Sequence, residues 1–244
     1  SSMSNRANMI GTRGSAQRIA ARRERYRAAL GARAGIIPRS HLLPSMQRTL
    51  FNTPLLKPLL RAASIAFLRV AGWKTEGRLP AEARKSVFIA VPHTSNWDLP
   101  YTLMAGFAFD LNLVWMGKES LFRAPFGPLM RWLGGLPVAR SRSTNAVASA
   151  AQALREATGP LQLVLAPEAT RGQTRQWRTG FYYIALEAQV PIVMAWLDYR
   201  GKRVGLGPAF TPTGDLDRDL AEIRRFYANV MGPDAGPCDA ESPL

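Results

Sequence analysis

A single cysteine and two histidines are all that 244 residues hold of their kinds, and each shortage removes a class of function. Cys238 stands alone in a Gly-Pro-rich tail, so the chain can assemble neither a disulfide framework nor a thiolate metal site. One unpaired thiol suits a reducing compartment. Acidic side chains are also short: 17 Asp and Glu face 32 Lys and Arg, a formal charge of +15. That excess is more than solubility needs and points to partners that carry phosphate, on lipid or on nucleic acid. Long apolar runs are missing as well. Residues 1–45 lack the apolar core of a signal peptide, and residues 46–73 hold no stretch of 18 uncharged apolar residues that would span a bilayer.

Against these absences one stretch stands out, Ser86-Val87-Phe88-Ile89-Ala90-Val91-Pro92-His93-Thr94-Ser95-Asn96-Trp97-Asp98. Its first half reads as a short, fully buried strand between Arg84-Lys85 and Pro92. Ser95 suits a helix N-cap, with Asp98 three residues on as its capping-box partner and Pro100 early in the following helix. His93 then falls in the strand-to-helix turn. In one continuous helix, residues five apart point about 140° away from each other, so imidazole and carboxylate can meet only if the histidine precedes the helix. A carboxylate on one ring nitrogen leaves the other free to take a proton from a hydroxyl. The plain alternative is a capping Asp98 and a satisfied polar His93 in a turn.

Nine arginines and a single acid, Glu24, fill residues 1–45, which read as a basic, flexible extension dispensable for folding. Residues 46–75 read as an amphipathic helix that contacts membrane. Leu56, Leu59, Leu60, Ala63, Phe67 and Val70 share an arc of about 100°, with Lys57, Arg61 and Arg69 outside it. Phe51 and Trp73 flank the segment as interfacial aromatics would, while Ile65 and Leu68 intrude on its polar side. Burial of this helix against the domain is the competing reading. Residues 76–232 form the catalytic domain and residues 233–244 a flexible tail.

Beyond the central strand, helix is expected over residues 96–109, strand over 111–116, a short helix over 129–133 stopped by Gly134-Gly135, and strand over 136–139. An alanine-rich helix follows over 144–157, then strand over 161–166, helix to Gln189, strands over 191–196 and 204–210, and a helix near 216–231. Buried strands alternating with helices imply an α/β fold. It is a single domain with a mixed, mostly parallel sheet flanked by helices, preceded by the amphipathic helix, and its chemistry should gather at strand ends. Those ends carry His93, Lys118, Arg140, Glu168 and Arg171. A base, its carboxylate and converging cations suit a substrate with a hydroxyl to activate and a phosphate to clamp. No serine or cysteine nucleophile stands in a recognisable setting, so the base would act on the acceptor directly.

The ordered set His93-Thr94-Ser95-Asn96-Trp97-Asp98, Gly135-Leu136-Pro137-Val138-Ala139-Arg140, Pro167-Glu168-Ala169-Thr170-Arg171 and Val190-Pro191-Ile192-Val193 resembles the four motif blocks of the glycerolipid acyltransferases that include lysophosphatidate acyltransferase. The likeness covers about residues 73–210 and rests on the order of all four blocks. It implies His93 as general base, Asp98 as its partner, and Arg140, Glu168, Thr170, Arg171 and Lys118 around the acceptor's phosphate, with Pro191 near the acyl site. It further implies an acyl thioester of coenzyme A or acyl carrier protein as co-substrate, no cofactor or metal, a lysophospholipid acceptor, and peripheral attachment to an anionic membrane on its cytoplasmic face. Two positions depart from the blocks: Pro92 where asparagine is frequent, and Ala169 where glycine is usual. A hydrolase using the same base on water is the second reading. A nucleic-acid-binding protein is the third, although the arginines of residues 1–45 lack interleaved aromatics and no recognition motif appears.

Overall fold

The apolar run Lys85–Val91 is the middle strand of a seven-stranded sheet in the computed structural model, which describes residues 49–92, 95, 97–138, 143–168 and 177–231. The strands are β1 (Lys74–Glu76), β2 (Lys85–Val91), β3 (Leu113–Lys118), β4 (Gly135–Val138), β5 (Leu161–Leu165), β6 (Ile192–Asp198) and β7 (Arg203–Phe210), in the spatial order β1-β7-β6-β2-β5-β3-β4. Every pairing is parallel except β6 against β7. This is the mixed, mostly parallel α/β sheet that the sequence implies. The expected extension, residues 1–45, and the tail, residues 233–244, lie outside the described residues.

Among the described residues, six α-helices cover the two faces: α1 (Leu56–Val70), α2 (Asp98–Ala108), α3 (Gly127–Trp132), α4 (Ser143–Glu156), α5 (Gly180–Ala188) and α6 (Leu216–Met231). A parallel sheet buried on both faces needs apolar side chains pointing both ways, which is why β2 reads as a continuous apolar run. Val87, Ile89 and Val91 join Leu154, Ile184 and Ile223 from α4, α5 and α6. Phe88 points the other way, to Phe51, Phe107, Trp115 and Val193. Each such side chain contributes roughly 1.5–3 kcal/mol by leaving water.

At the end of the sheet where β2 begins, Gln162 on β5 fastens three segments: its buried amide donates to the Arg84 carbonyl at 2.7 Å and accepts from the Asn112 N–H at 2.7 Å. Gly134 stops α3 as expected, with a φ of +85° that a side chain would disfavour. Strand β1 was not foreseen, being a three-residue edge strand with no apolar alternation to announce it.

Helix α1 packs one face on the domain and leaves another exposed. Its inward face is Ser64 and Leu68, the latter 1% exposed, and the helix packs on α2. The predicted stripe divides: Leu56 and Leu60 are half-buried against the core around Phe51 and Phe107, whereas Leu59, Phe67 and Val70 are 65%, 51% and 91% exposed. Leu68, which looked like an intruder on the polar side, is thus the anchor. Phe51 and Trp73 correct the expectation of interfacial aromatics. Both are buried, Phe51 stacked on Phe107 at 4.4 Å and Trp73 against Tyr101 at 4.5 Å. Among the described residues, no helix is long and apolar enough to cross a membrane.

Candidate active site

Strands β2, β3, β4, β5 and β6 run the same way, so their C-terminal ends share one edge of the sheet. The chain leaving β2 enters α2, on the face of Phe88, whereas the chain leaving β5 leads to α5, on the face of Ile89. Neighbouring strands whose connections part to opposite faces leave a crevice between them, where α/β sheets bind ligands. Asp98 lies at the exit of β2 and Glu168 at the exit of β5, with the strands about 4.8 Å apart.

Asp98 is the first residue of α2, two positions later than the expected start. Trp97 rather than Ser95 takes the N-cap position, and of the expected capping box only the half made by the Asp98 carboxylate is formed. The Ser95 N–H donates to Asp98 Oδ2 at 2.9 Å, and Ser95 Oγ accepts from the Trp97 N–H at 3.1 Å. A capping carboxylate needs nothing more, yet Asp98 is only 5% exposed and its second oxygen is also engaged. The Tyr199 hydroxyl donates to Asp98 Oδ1 at 2.8 Å from 101 positions away in sequence. Tyr199 follows β6 immediately, and β6 is the other parallel neighbour of β2. Its ring meets Trp73 and Tyr101 edge-on, at 5.5 Å and 5.6 Å. Burial, then the carboxylate beside it, raises the Tyr199 phenol above its ordinary value, so it stays a proton donor.

Glu168 is buried, in a loop whose Pro167 carbonyl accepts from the Arg178 N–H at 2.8 Å. Lys118 ends β3, one strand beyond β5 from the centre. Its side chain is exposed and has no hydrogen-bond or ion-pair partner among the described residues. The structure therefore brings Asp98 and Glu168 to neighbouring strand ends and sets Lys118 further out. His93, Arg140, Thr170 and Arg171 lie outside the described residues, as does Ala169; Pro92 is the last described residue before His93. A groove of about 440 Å³, lined by Phe51, Lys57, Arg61 and Asp110 among others, lies near the start of β3, at the opposite edge from this chemistry.

Residues 73–198 match the acyltransferase family, a span of just over half the chain that contains Asp98, Lys118, Glu168 and the strands that carry them. The chain belongs to the acyltransferase family. No curated protein matches it. Among solved structures it is similar to the 1-acyl-sn-glycerophosphate (LPA) acyltransferase PlsC from Thermotoga maritima, at 16% identity and a TM-score of 0.49, over 72% of this chain and 81% of that one. As an acyltransferase its chemistry is the transfer of an acyl group.

Two features of this acyltransferase escape a reading of its sequence. Tyr199 carries no spacing signal toward Asp98, and only the adjacency of β2 and β6, both parallel, could have suggested that their exits meet. Exposed aromatics are the other. Trp97, Phe126 and Trp132 are 65%, 64% and 41% exposed, the latter two close in sequence to the exposed Arg123 and Arg131.

Proposed function

We propose that the protein moves a fatty acyl group from an acyl thioester of coenzyme A or acyl carrier protein to the hydroxyl of a lysophospholipid such as lysophosphatidate, with His93 as general base. One observation carries the reading: a buried carboxylate, Asp98, is fixed through both oxygens at the exit of the central strand, five residues after a histidine. Such a carboxylate orients an imidazole and stabilises the imidazolium that forms when it takes a proton. His93 removes the acceptor's hydroxyl proton as the oxygen attacks the thioester carbonyl. The tetrahedral intermediate then collapses, the carbon–sulfur bond breaks, and the imidazolium returns its proton to the departing thiolate. No covalent acyl-enzyme is needed.

Arg140 and Arg171 clamp the acceptor's phosphate, since a guanidinium fork matches phosphate oxygens two at a time. Thr170 and Lys118, which has no partner among the described residues, add a hydroxyl and a charge, and Glu168 holds the arginines in register. The acceptor lies in a bilayer, so the enzyme works as a peripheral protein on the cytoplasmic face of an anionic membrane. The outward stripe of α1, flanked by the exposed Arg61 and Arg69, supports that attachment. Purified protein incubated with a panel of lysolipids and one long-chain acyl thioester, read by mass spectrometry, tests the reading. Acyl transfer to a phosphate-bearing lysolipid is expected. Thioester cleavage at the same rate with and without any acceptor would instead make the protein a hydrolase.

A further inference from the structure

We propose that Tyr199 is a positioning residue for the catalytic base: through its hydrogen bond to Asp98 it fixes the carboxylate on which His93 turns. This rests on the reading of His93 as the base. Two donors on two different oxygens define a carboxylate plane, and at Asp98 those donors come from opposite ends of the chain: the Ser95 N–H at 2.9 Å and the Tyr199 hydroxyl at 2.8 Å. Ser95 stands only two positions after His93 in sequence, so its bond alone would let carboxylate and imidazole drift together. Tyr199 ties the pair to β6, a strand hydrogen-bonded to β2 along Val87–Val91.

The ring of Tyr199 is itself held. Trp73 and Tyr101 meet it edge-on, and these two pack against one another at a tilt of 34°, 4.5 Å apart, so the hydroxyl has little freedom to leave Asp98. The ionisable groups facing Tyr199 among the described residues are Asp98 and Tyr101, both from α2, while Trp73 brings no charge. The bond has a chemical consequence as well as a geometric one. A donor on a carboxylate lowers its proton affinity, so Tyr199 moderates how strongly Asp98 raises the basicity of the imidazole. Removing that donor leaves a more basic but looser carboxylate.

Tyr199→Phe keeps the ring and its packing and deletes only the hydroxyl, which makes it the decisive variant. It should lower kcat by about 5- to 30-fold while KM for acceptor and for donor stays within about twofold, the pattern of a residue that acts in the chemical step. The acidic limb of the kcat/KM profile should move up by roughly 0.3–1 pH unit. A second readout does not depend on turnover. His41→Gln leaves His93 as the only histidine, and its imidazole titration can be followed by NMR with and without Tyr199→Phe. The same upward shift is expected there. A lowered melting temperature with an unchanged His93 titration would reduce Tyr199 to a packing residue and overturn the proposal. Should the protein acylate no lysolipid at all, the functional reading fails, but the shift in the His93 titration still decides the role of Tyr199.

Discussion

The hydroxyl of Tyr182 on α5 donates to Asp219 Oδ2 on α6 at 2.8 Å, and both residues are 1% exposed. Asp219 also accepts from the Thr213 N–H and hydroxyl, each at 2.7 Å, and the Tyr182 oxygen accepts from the Gly214 N–H at 3.0 Å. The network closes the loop that leads from β7 into α6 and locks that helix onto the sheet face below β2. Burial, then the Asp219 carboxylate, raises the Tyr182 phenol above its ordinary value of about 10. The folded state therefore keeps this proton longer than the unfolded state does. The stability it provides is complete below about pH 10 and is lost as pH rises above that value. Tyr182→Phe should cost about 1–3 kcal/mol at neutral pH by stripping a buried carboxylate of a donor, and should flatten the alkaline fall in stability by up to about 1.4 kcal/mol per pH unit. Denaturant unfolding between pH 8 and 11 measures both, and parallel curves for the two proteins would refute the linkage.

His93→Ala should lower turnover by roughly 10²- to 10⁴-fold, the loss expected when a general base is removed. Asp98→Asn should be nearly as damaging and also less stable. Each Asp98 oxygen accepts from a donor, so the amide nitrogen of an asparagine must face either the Ser95 N–H or the Tyr199 hydroxyl and lose that bond, at a cost of about 1–3 kcal/mol. Steady-state rates together with circular dichroism separate the two effects. Near-normal acyl transfer by folded His93→Ala would end the general-base mechanism.

Arg140→Lys keeps a positive charge but loses the planar fork, so it should raise KM for the acceptor by about 10-fold or more and leave KM for the donor nearly unchanged. Comparison with an acceptor that has the same chain and no phosphate is the sharper measurement: the variant should no longer distinguish the two. Equal losses with both acceptors would remove Arg140 from the phosphate site.

The strands were legible because a sheet buried on both faces demands runs such as Val87–Val91 and Leu161–Leu165, and helices α4 and α6 because their apolar residues recur at helical spacing. The Ser95–Asp98 turn was legible for a different reason: its hydrogen bonds join residues three apart, within reach of a local pattern. Tyr199 was not, since its partner is 101 residues away and no periodicity links a strand exit to a neighbouring one. Phe51 and Trp73 misled because an aromatic beside a basic amphipathic helix has the same composition whether it meets lipid or Phe107 and Tyr101. Only tertiary packing separates the two cases. The same holds for Leu68, which lies off the apolar arc yet faces the one direction in which α2 lies.

The exposed stripe of α1 gives the membrane reading its most direct test. Phe67 is 51% exposed, so Phe67→Glu should change stability by less than about 0.5 kcal/mol, whereas Leu68→Ala one position along, at 1% exposure, should cost about 2–5 kcal/mol. Stability and membrane affinity should therefore separate on adjacent residues. Basic side chains near an anionic leaflet contribute about 1 kcal/mol each, and that part weakens as the Debye length falls from about 10 Å at 0.1 M salt to about 3 Å at 1 M. The apolar part does not depend on screening. Removing residues 1–45, with their nine arginines, should lower affinity for anionic liposomes at low salt and matter little at high salt, with most activity retained. Phe67→Glu should detach the protein at both ionic strengths, because a carboxylate on the stripe opposes burial of Leu59 and Val70 in the same lipid. Co-sedimentation with liposomes across a salt series, alongside thermal melts, reads all three variants. If Phe67→Glu melts like the wild type and binds liposomes equally well, α1 is not the membrane contact.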